Sequence, residues 1–534
     1  MFRLKPLKSS TIIIVVAAYF ATIPNIVFWK YIFDHIAIGG FSDIVFAVSI
    51  PFFMFVSMLM IVSLLTIPYA GKAFISIVMI ISAYASHAMF TYGIYIDSDM
   101  VQNVFETNTR EALDLITFSL AIWVVLLGII PSILLFITKI KYGSIAREMI
   151  MRLMMFAAAL TIIGIIAAIS YKEYVSFGRN NHIVRRLITP TNYIYGTTKY
   201  LYGLSLANRQ FIRIGEDAKY IGGDQPIVFV YIVGETARAQ NFSLGGYERQ
   251  TNPNLAQESE VIYFNNVSSC GTATAISLPC MFSRYDRRSF NQTDAQFSEN
   301  MLDVAQRAGY NIIWKENDDG CKGVCERVEN IEMIKAPNAE KYCDNRYCYD
   351  EILLDGLDEY VKAIKQNTII VLHTIGSHGP TYYKRYPDRF KIFTPTCDTA
   401  QIDKCSREQI VNTYDNTIFY TDFIVAETIA VLKRYENLRS SLIYVSDHGE
   451  SLGENGVYLH GLPYMIAPEY QTRVPMIVWL SENAAKNIDR GCLKTHAKNS
   501  DYSHDNLFHS ILGLLNIETE LYDQNLDIFS KCDQ

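Results

Sequence analysis

Five apolar stretches, at 11–33, 42–67, 73–96, 115–138 and 150–170, fill the first third of the chain. Each is long enough for a helix crossing a hydrocarbon core ~30 Å thick, which takes about 20 residues. In that medium every backbone N–H and C=O must be paired within the segment, so stretches of this length form helices. Buried helices of a soluble protein rarely come five in a row. The first stretch is too long for a cleavable leader and is followed by further spans. The composition of the 534-residue chain agrees, with 50% hydrophobic residues, 19% charged residues and a positive mean hydropathy.

The loops between the stretches set the orientation. Arg3, Lys5 and Lys8 precede the first, Lys72 lies in the second loop, and Lys139, Lys141, Arg147 and Arg152 flank the fourth. The first and third loops carry Asp34, Asp43, Asp97, Asp99, Glu106 and Glu111. The positive-inside rule puts the N-terminus in the cytoplasm, and an odd number of spans puts everything after residue 170 outside. The ten cysteines agree: all lie at or beyond Cys270, in the couples Cys270/Cys280, Cys321/Cys325, Cys343/Cys348 and Cys397/Cys405, leaving Cys492 and Cys532. An even count confined to the part outside the membrane predicts disulfides in an oxidising compartment. Loop closure is worth roughly 2 kcal/mol for the shortest couple and about 4 for Cys492–Cys532, so the short bridges stiffen loops more than they hold a domain together. The net charge of −7 argues against a nucleic-acid partner. It leaves room for a phosphorylated lipid, because a metal supplies local positive charge.

The expected division is a transmembrane domain over 1–170, a bridge over 171–225 and a catalytic domain over 226–534. The third loop places Asn103, Thr107 and Glu111 at i, i+4 and i+8, on one helix face. In the bridge, Tyr193, Tyr195, Lys199, Tyr200 and Tyr202 alternate with apolar residues, as in helices lying at the headgroup level. Beyond 225, short β-rich runs at 227–233, 311–314, 368–373, 441–445 and 474–479 alternate with polar, helix-length segments. That pattern predicts an α/β domain with a parallel sheet covered on both faces, and ligands in such sheets bind beyond the carboxyl ends of the strands.

Those ends carry Glu235, the segment from Lys315 to Lys322, His378, and Asp447-His448. Two carboxylates and one imidazole with a position left open make the donor set of a catalytic zinc, less exclusively of manganese. A nucleophile is available in the small-residue segment from Ser268 to Cys280, which should run into a helix N-terminus, where a developing alkoxide or phosphoryl oxygen is favoured. Coordination by a metal lowers a hydroxyl pKa much as it lowers that of water. Spacing alone does not separate Thr272 from Thr274.

GETARAQNFSLGGYERQTNPNL, SSCGTATAISLPCMFS, HTIGSHGPTYYKRYP and YVSDHGESLGENGVYLHGLPY resemble the lipid A phosphoethanolamine transferases, including the mobilised colistin-resistance enzymes, within the alkaline phosphatase superfamily. The similarity extends along the whole chain. It implies five membrane spans followed by an α/β periplasmic domain of alkaline phosphatase/sulfatase type in the bacterial inner membrane. It also implies Thr274 as the phosphoethanolaminylated residue, and Glu235, Thr274, Asp447 and His448 as ligands of a tightly bound Zn2+. His378 and His460 fall at a second-metal or headgroup site, and Lys322 at a phosphate contact. Asn103, Thr107 and Glu111 match headgroup contacts of the membrane domain. Relatives commonly carry two adjacent asparagines where this chain has Glu316–Gly320 as ENDDG, which sets Asn317 ahead of Asp318 as a substrate contact.

The implied reaction moves phosphoethanolamine from phosphatidylethanolamine through a covalent phosphothreonine to a lipid A phosphate, with a monomer embedded among membrane lipids. That masks surface charge and confers polymyxin resistance. The alternative is transfer of phosphoglycerol, or of phosphoethanolamine to a different surface glycan. The C/S-x-P-x-R pattern of a sulfatase nucleophile is absent around Pro279.

Overall fold

The computed structural model describes residues 6–533 except 37, 67, 69–70, 94–95, 97–99, 102–116, 207–208 and 345–346. Asn103, Thr107 and Glu111 therefore lie outside the described residues. The chain forms two compact units, 1–209 and 210–534.

Among its described residues the first unit contains five helices long and apolar enough to span a membrane: α1 (Ser9–His35), α2 (Phe41–Leu65), α3 (Gly71–Thr91), α4 (Phe118–Ile137) and α5 (Ile145–Asn180). A 3-10 turn at Ile23–Asn25 interrupts α1, where Pro24 cannot donate an N–H. Asn25 repairs the break, its amide donating to Phe20 O at 2.6 Å and to Thr189 O at 2.7 Å. The fifth stretch does not stop at Ser170. Its helix runs on to Asn180, with non-helical backbone angles at Ser170 alone. α6 (Thr191–Leu206) follows. Ile13, Phe20, Met58 and Met79 pack inward, whereas Phe52, Leu153 and Ile169 are more than 60% exposed, the surface a lipid-facing bundle presents.

The second unit is built on eight strands: β1 (Ile227–Gly234), β2 (Ile262–Ser268), β3 (Asn311–Glu316), β4 (Glu329–Glu332), β5 (Thr368–His373), β6 (Arg439–Ser446), β7 (Arg473–Leu480) and β8 (Tyr502–Ser503). They form one sheet in the order β8-β2-β7-β6-β1-β5-β3-β4. The central strands β6, β1, β5, β3 and β4 are mutually parallel, and β1 and β5 have no exposed residue. This is why their sequences are apolar throughout rather than alternating.

The strand at 474–479 departs from the all-parallel expectation: β7 runs antiparallel to both β6 and β2. Between β6 and β7 stand only short 3-10 turns, a two-residue hairpin and the four-residue helix Glu469–Thr472. No long crossover helix is there to return the chain to the starting edge, which a parallel neighbour needs. The long helix Arg407–Lys433 leads into β6 instead, opened by a capping box in which Ser406 and Gln409 satisfy each other's backbone N–H.

All ten cysteines are paired: Cys270–Cys280, Cys321–Cys325, Cys343–Cys348, Cys397–Cys405 and Cys492–Cys532.

Candidate active site and metal centre

Adjacent parallel strands bring the first ligands together. β1 and β6 pair in register as far as Gly234 opposite Ser446, so Glu235 and Asp447 leave the sheet side by side. Asp447 N–H continues the ladder to Gly234 O at 2.9 Å. The chain then turns sharply. Thr236 takes a left-handed φ of 59°, costly for a β-branched residue, and this aims its N–H at Asp447 Oδ1 at 3.0 Å. His448 N–H donates to the same oxygen at 2.7 Å. Gly449 has no room for a side chain: a Cβ would stand 2.1 Å from Tyr470 O.

Thr274 arrives from a different element, the helix α7 (Thr274–Met281), of which it is the first residue. Its Oγ1 lies 3.1 Å from Glu235 Oε2, 3.3 Å from Glu235 Oε1 and 3.5 Å from His448 Nε2. Thr272 points elsewhere, its hydroxyl donating to Leu462 O at 2.6 Å. The geometry separates the two threonines that spacing left equivalent.

Glu235, Asp447 and His448 are fully buried, and His448 Nε2 lies 3.6 Å from Glu235 Oε1 and 3.4 Å from Asp447 Oδ2. Donor pairs in a tetrahedral site with metal–ligand bonds of 2.0–2.1 Å stand roughly 3.3 Å apart. The separations among these four side chains, 3.1–3.6 Å, are of that size. Two further observations fit a cation. Asp447 Oδ2 is buried with no hydrogen-bond partner, a costly state for a carboxylate oxygen. His448 Nδ1 sits 2.9 Å from Gly449 O, so that nitrogen carries the proton and Nε2 keeps its lone pair toward the cluster. Burial, reinforced by the Asp447 carboxylate, pushes Glu235 up to about 8, and burial raises Asp447 to about 6. Both shifts reflect carboxylates held away from water without a counter-ion.

The remaining predicted residues take varied positions. The His460 ring centroid is 4.3 Å from that of His448 and 6.0 Å from that of His378, so the two further histidines flank the cluster. Asn317 spends its amide on Asp350 Oδ1 at 2.8 Å and Cys348 O at 3.2 Å. Asp350 in turn accepts from Ile375 N and Gly376 N at 2.9 and 3.0 Å, fixing the loop that carries His378. Lys322 makes its contact elsewhere, donating to Asp319 O at 2.5 Å and lining a crevice with Pro279, Ser283 and Arg284.

Three positioning residues carry no local sequence signal. Buried Glu450 holds His460 Nδ1 at 2.7 Å and accepts from Tyr382 at 2.6 Å. Ser277 reaches back from α7, accepting from Gly271 N and donating to Asp447 O. His504 lies 234 residues beyond Cys270; its Nδ1 accepts from Cys270 N at 3.1 Å while Nε2 donates to Ser446 O at 3.0 Å. Burial holds His504 down at about 3, so it is a neutral clamp between the nucleophile segment and the end of β6. Only a tertiary structure reveals it.

Comparison with known proteins follows the same division. Residues 228–517 match the Sulfatase family, and residues 54–203 match the family described as Phosphoethanolamine transferase EptA/EptB. The EptA phosphoethanolamine transferase of Salmonella typhimurium is 42% identical over 524 residues, spanning 96% of this chain and 95% of the relative. The chain belongs to the EptA phosphoethanolamine transferases. The phosphatidylethanolamine transferase Mcr-1 of Escherichia coli is 34% identical, covering 95% of this chain and 94% of its own. Among solved structures, the integral membrane lipooligosaccharide phosphoethanolamine transferase A of Neisseria meningitidis is 39% identical with a TM-score of 0.66, covering 99% of this chain and 100% of that one. The EptA-type architecture thus extends through both units: the apolar helices and an α/β domain of alkaline phosphatase/sulfatase type.

Proposed function

We propose that this EptA-type transferase moves phosphoethanolamine from phosphatidylethanolamine to a phosphate of lipid A, through a phosphoester on Thr274. The observation that carries the reading is the hydroxyl of Thr274 at the start of a helix, 3.1 Å from a fully buried carboxylate whose neighbour Asp447 Oδ2 has no partner. Glu235, Thr274, Asp447 and His448 would hold a Zn2+. When bound, zinc lowers the hydroxyl pKa of Thr274 and offsets charge on the phosphoryl oxygens.

The chain's own residues do the rest. Thr274 Oγ attacks phosphorus in line, the bond from phosphorus to the glyceride oxygen breaks, and diacylglycerol leaves with a proton. In the second half a lipid A phosphate oxygen attacks the same phosphorus and Thr274 recovers its proton. His460, oriented by Glu450, and His378, on the loop fixed by Asp350, are the residues assigned to give and take those protons. Lys322 supplies positive charge to the departing or entering phosphate after releasing the Asp319 carbonyl. By the family resemblance, Asn103, Thr107 and Glu111 are assigned to binding the phosphatidylethanolamine headgroup. Residues 1–170 span the bacterial inner membrane from a cytoplasmic N-terminus, 171–225 bridge along its outer surface, and 226–534 act in the periplasm as part of a monomer. An acceptor of the lipid A class is supported by a relative, the Kdo(2)-lipid A phosphoethanolamine 7''-transferase of Escherichia coli, 26% identical over 466 residues.

Mass spectrometry of lipid A from cells expressing the wild-type chain or Thr274→Ala is the test. Wild type adds phosphoethanolamine to lipid A and Thr274→Ala adds none. Substantial modification by the variant would reject Thr274 as the nucleophile, and modification of another glycan alone would replace the acceptor.

A further inference from the structure

Glu235 faces two clusters, and only one is accounted for above. On its other side, ligand atoms of Glu235, Asp318 and His373 lie within 4.8 Å of one another. Glu235 and His373 are fully buried. Asp318 follows β3, His373 ends β5 and Glu235 follows β1, so three neighbouring parallel strands deliver them to one point.

His373 is the informative member. Its Nδ1 lies 2.9 Å from both carboxylate oxygens of Glu316, which is itself held by Trp314 Nε1 at 2.9 Å and Asp318 N at 2.7 Å. Its Nε2 is buried and has no hydrogen-bond partner. A carboxylate on one ring nitrogen with the other left open is the outer-shell arrangement that orients a histidine toward a metal. Asp318 also lines a cavity of about 370 Å³ with Glu316, Asp319, Glu332 and Tyr347, which gives an ion a route in and room for water ligands.

We propose that Glu235, Asp318 and His373 form a further divalent-cation site, for zinc or manganese, sharing Glu235 with the first and separate from the second-metal or headgroup position of His378 and His460. One imidazole and two carboxylates suit those borderline ions, and the cavity supplies the remaining oxygen donors as water. A cation there would neutralise the carboxylates of Glu235 and Asp318.

The inference builds on the proposed zinc site through Glu235, but its readout is independent of transfer. The full-length protein in detergent is stripped with chelator, re-equilibrated with Zn2+ or with Mn2+, and its bound metal counted by elemental analysis without lipid substrate. Asp318→Asn, which keeps shape and removes charge, should lower the count by one ion per chain while leaving the ion held by Asp447. His373→Gln should give the same loss, and Asp447→Asn should remove the other ion. An Asp318→Asn chain with wild-type metal content would overturn the proposed site. Loss of all metal in that variant would also count against a separate site.

Discussion

The two units treat buried charge in opposite ways. In the first, Arg152 and Glu148 are both less than 10% exposed, and Arg152 is saturated: its guanidinium reaches Glu148 Oε2 at 2.8 Å, Thr66 O at 3.0 Å and Ser9 Oγ at 3.1 Å. In the second, buried Glu235 meets Asp447 and His448 in one group and Asp318 and His373 in another, with Asp447 Oδ2 and His373 Nε2 unpartnered. Around Arg152 the buried charge is paired internally, whereas at the strand ends Asp447 Oδ2 and His373 Nε2 are left open. The difference separates a structural ion pair from a binding site better than burial does, since both are buried.

Asp447→Asn should break the contrast hardest. With one of the four donors lost, transfer should fall on the order of 10³-fold or more, measured as modified lipid A against enzyme amount. The metal-free variant should melt at or above the temperature of the metal-free wild type, because a repelling buried charge is gone. The first unit should respond in the reverse sense. Glu148→Ala strands a buried guanidinium and should cost about 3–5 kcal/mol, read as thermal unfolding in detergent. Replacing the pair together by Glu148→Leu and Arg152→Met should cost far less.

The smallest effect is a pH dependence. Glu235 has its folded pKa raised from 4.5 to about 8, and Asp447 from 3.8 to about 6. The folded state then binds more protons than the unfolded one, so these groups favour folding at low pH and lose that contribution as pH rises. Metal-stripped protein should melt lower at pH 8 than at pH 5.5. Saturating Zn2+ should flatten that slope, and Glu235→Gln should flatten it without metal. The Arg152–Glu148 pair, satisfied in place, should show no metal dependence.

How much of this was legible in the sequence follows from range. Membrane spans announce themselves by run length, and strand ends by an apolar run stopping at Glu235 or Asp447; both are local signals. β2 and β4 were not legible. β2 reads IYFNNVS, half-buried and polar in its centre, and β4 is four mostly exposed residues on the sheet edge. The antiparallel turn of β7 depended on what the 447–472 segment lacks. Ser277 and His504 act through contacts 170 and 58 residues away along the chain, which periodicity does not encode. Thr274 was separable from Thr272 by resemblance, and independently by the direction of its hydroxyl.

The most direct measurement is a peptide map of the purified protein after brief exposure to phosphatidylethanolamine without acceptor. Thr274 should carry the mass of one phosphoethanolaminyl group, in amounts that fall when lipid A is added. An adduct on Thr272 or another side chain, or none while transfer proceeds, would contradict the open strand-end cluster as the place where a hydroxyl becomes the acceptor of phosphorus.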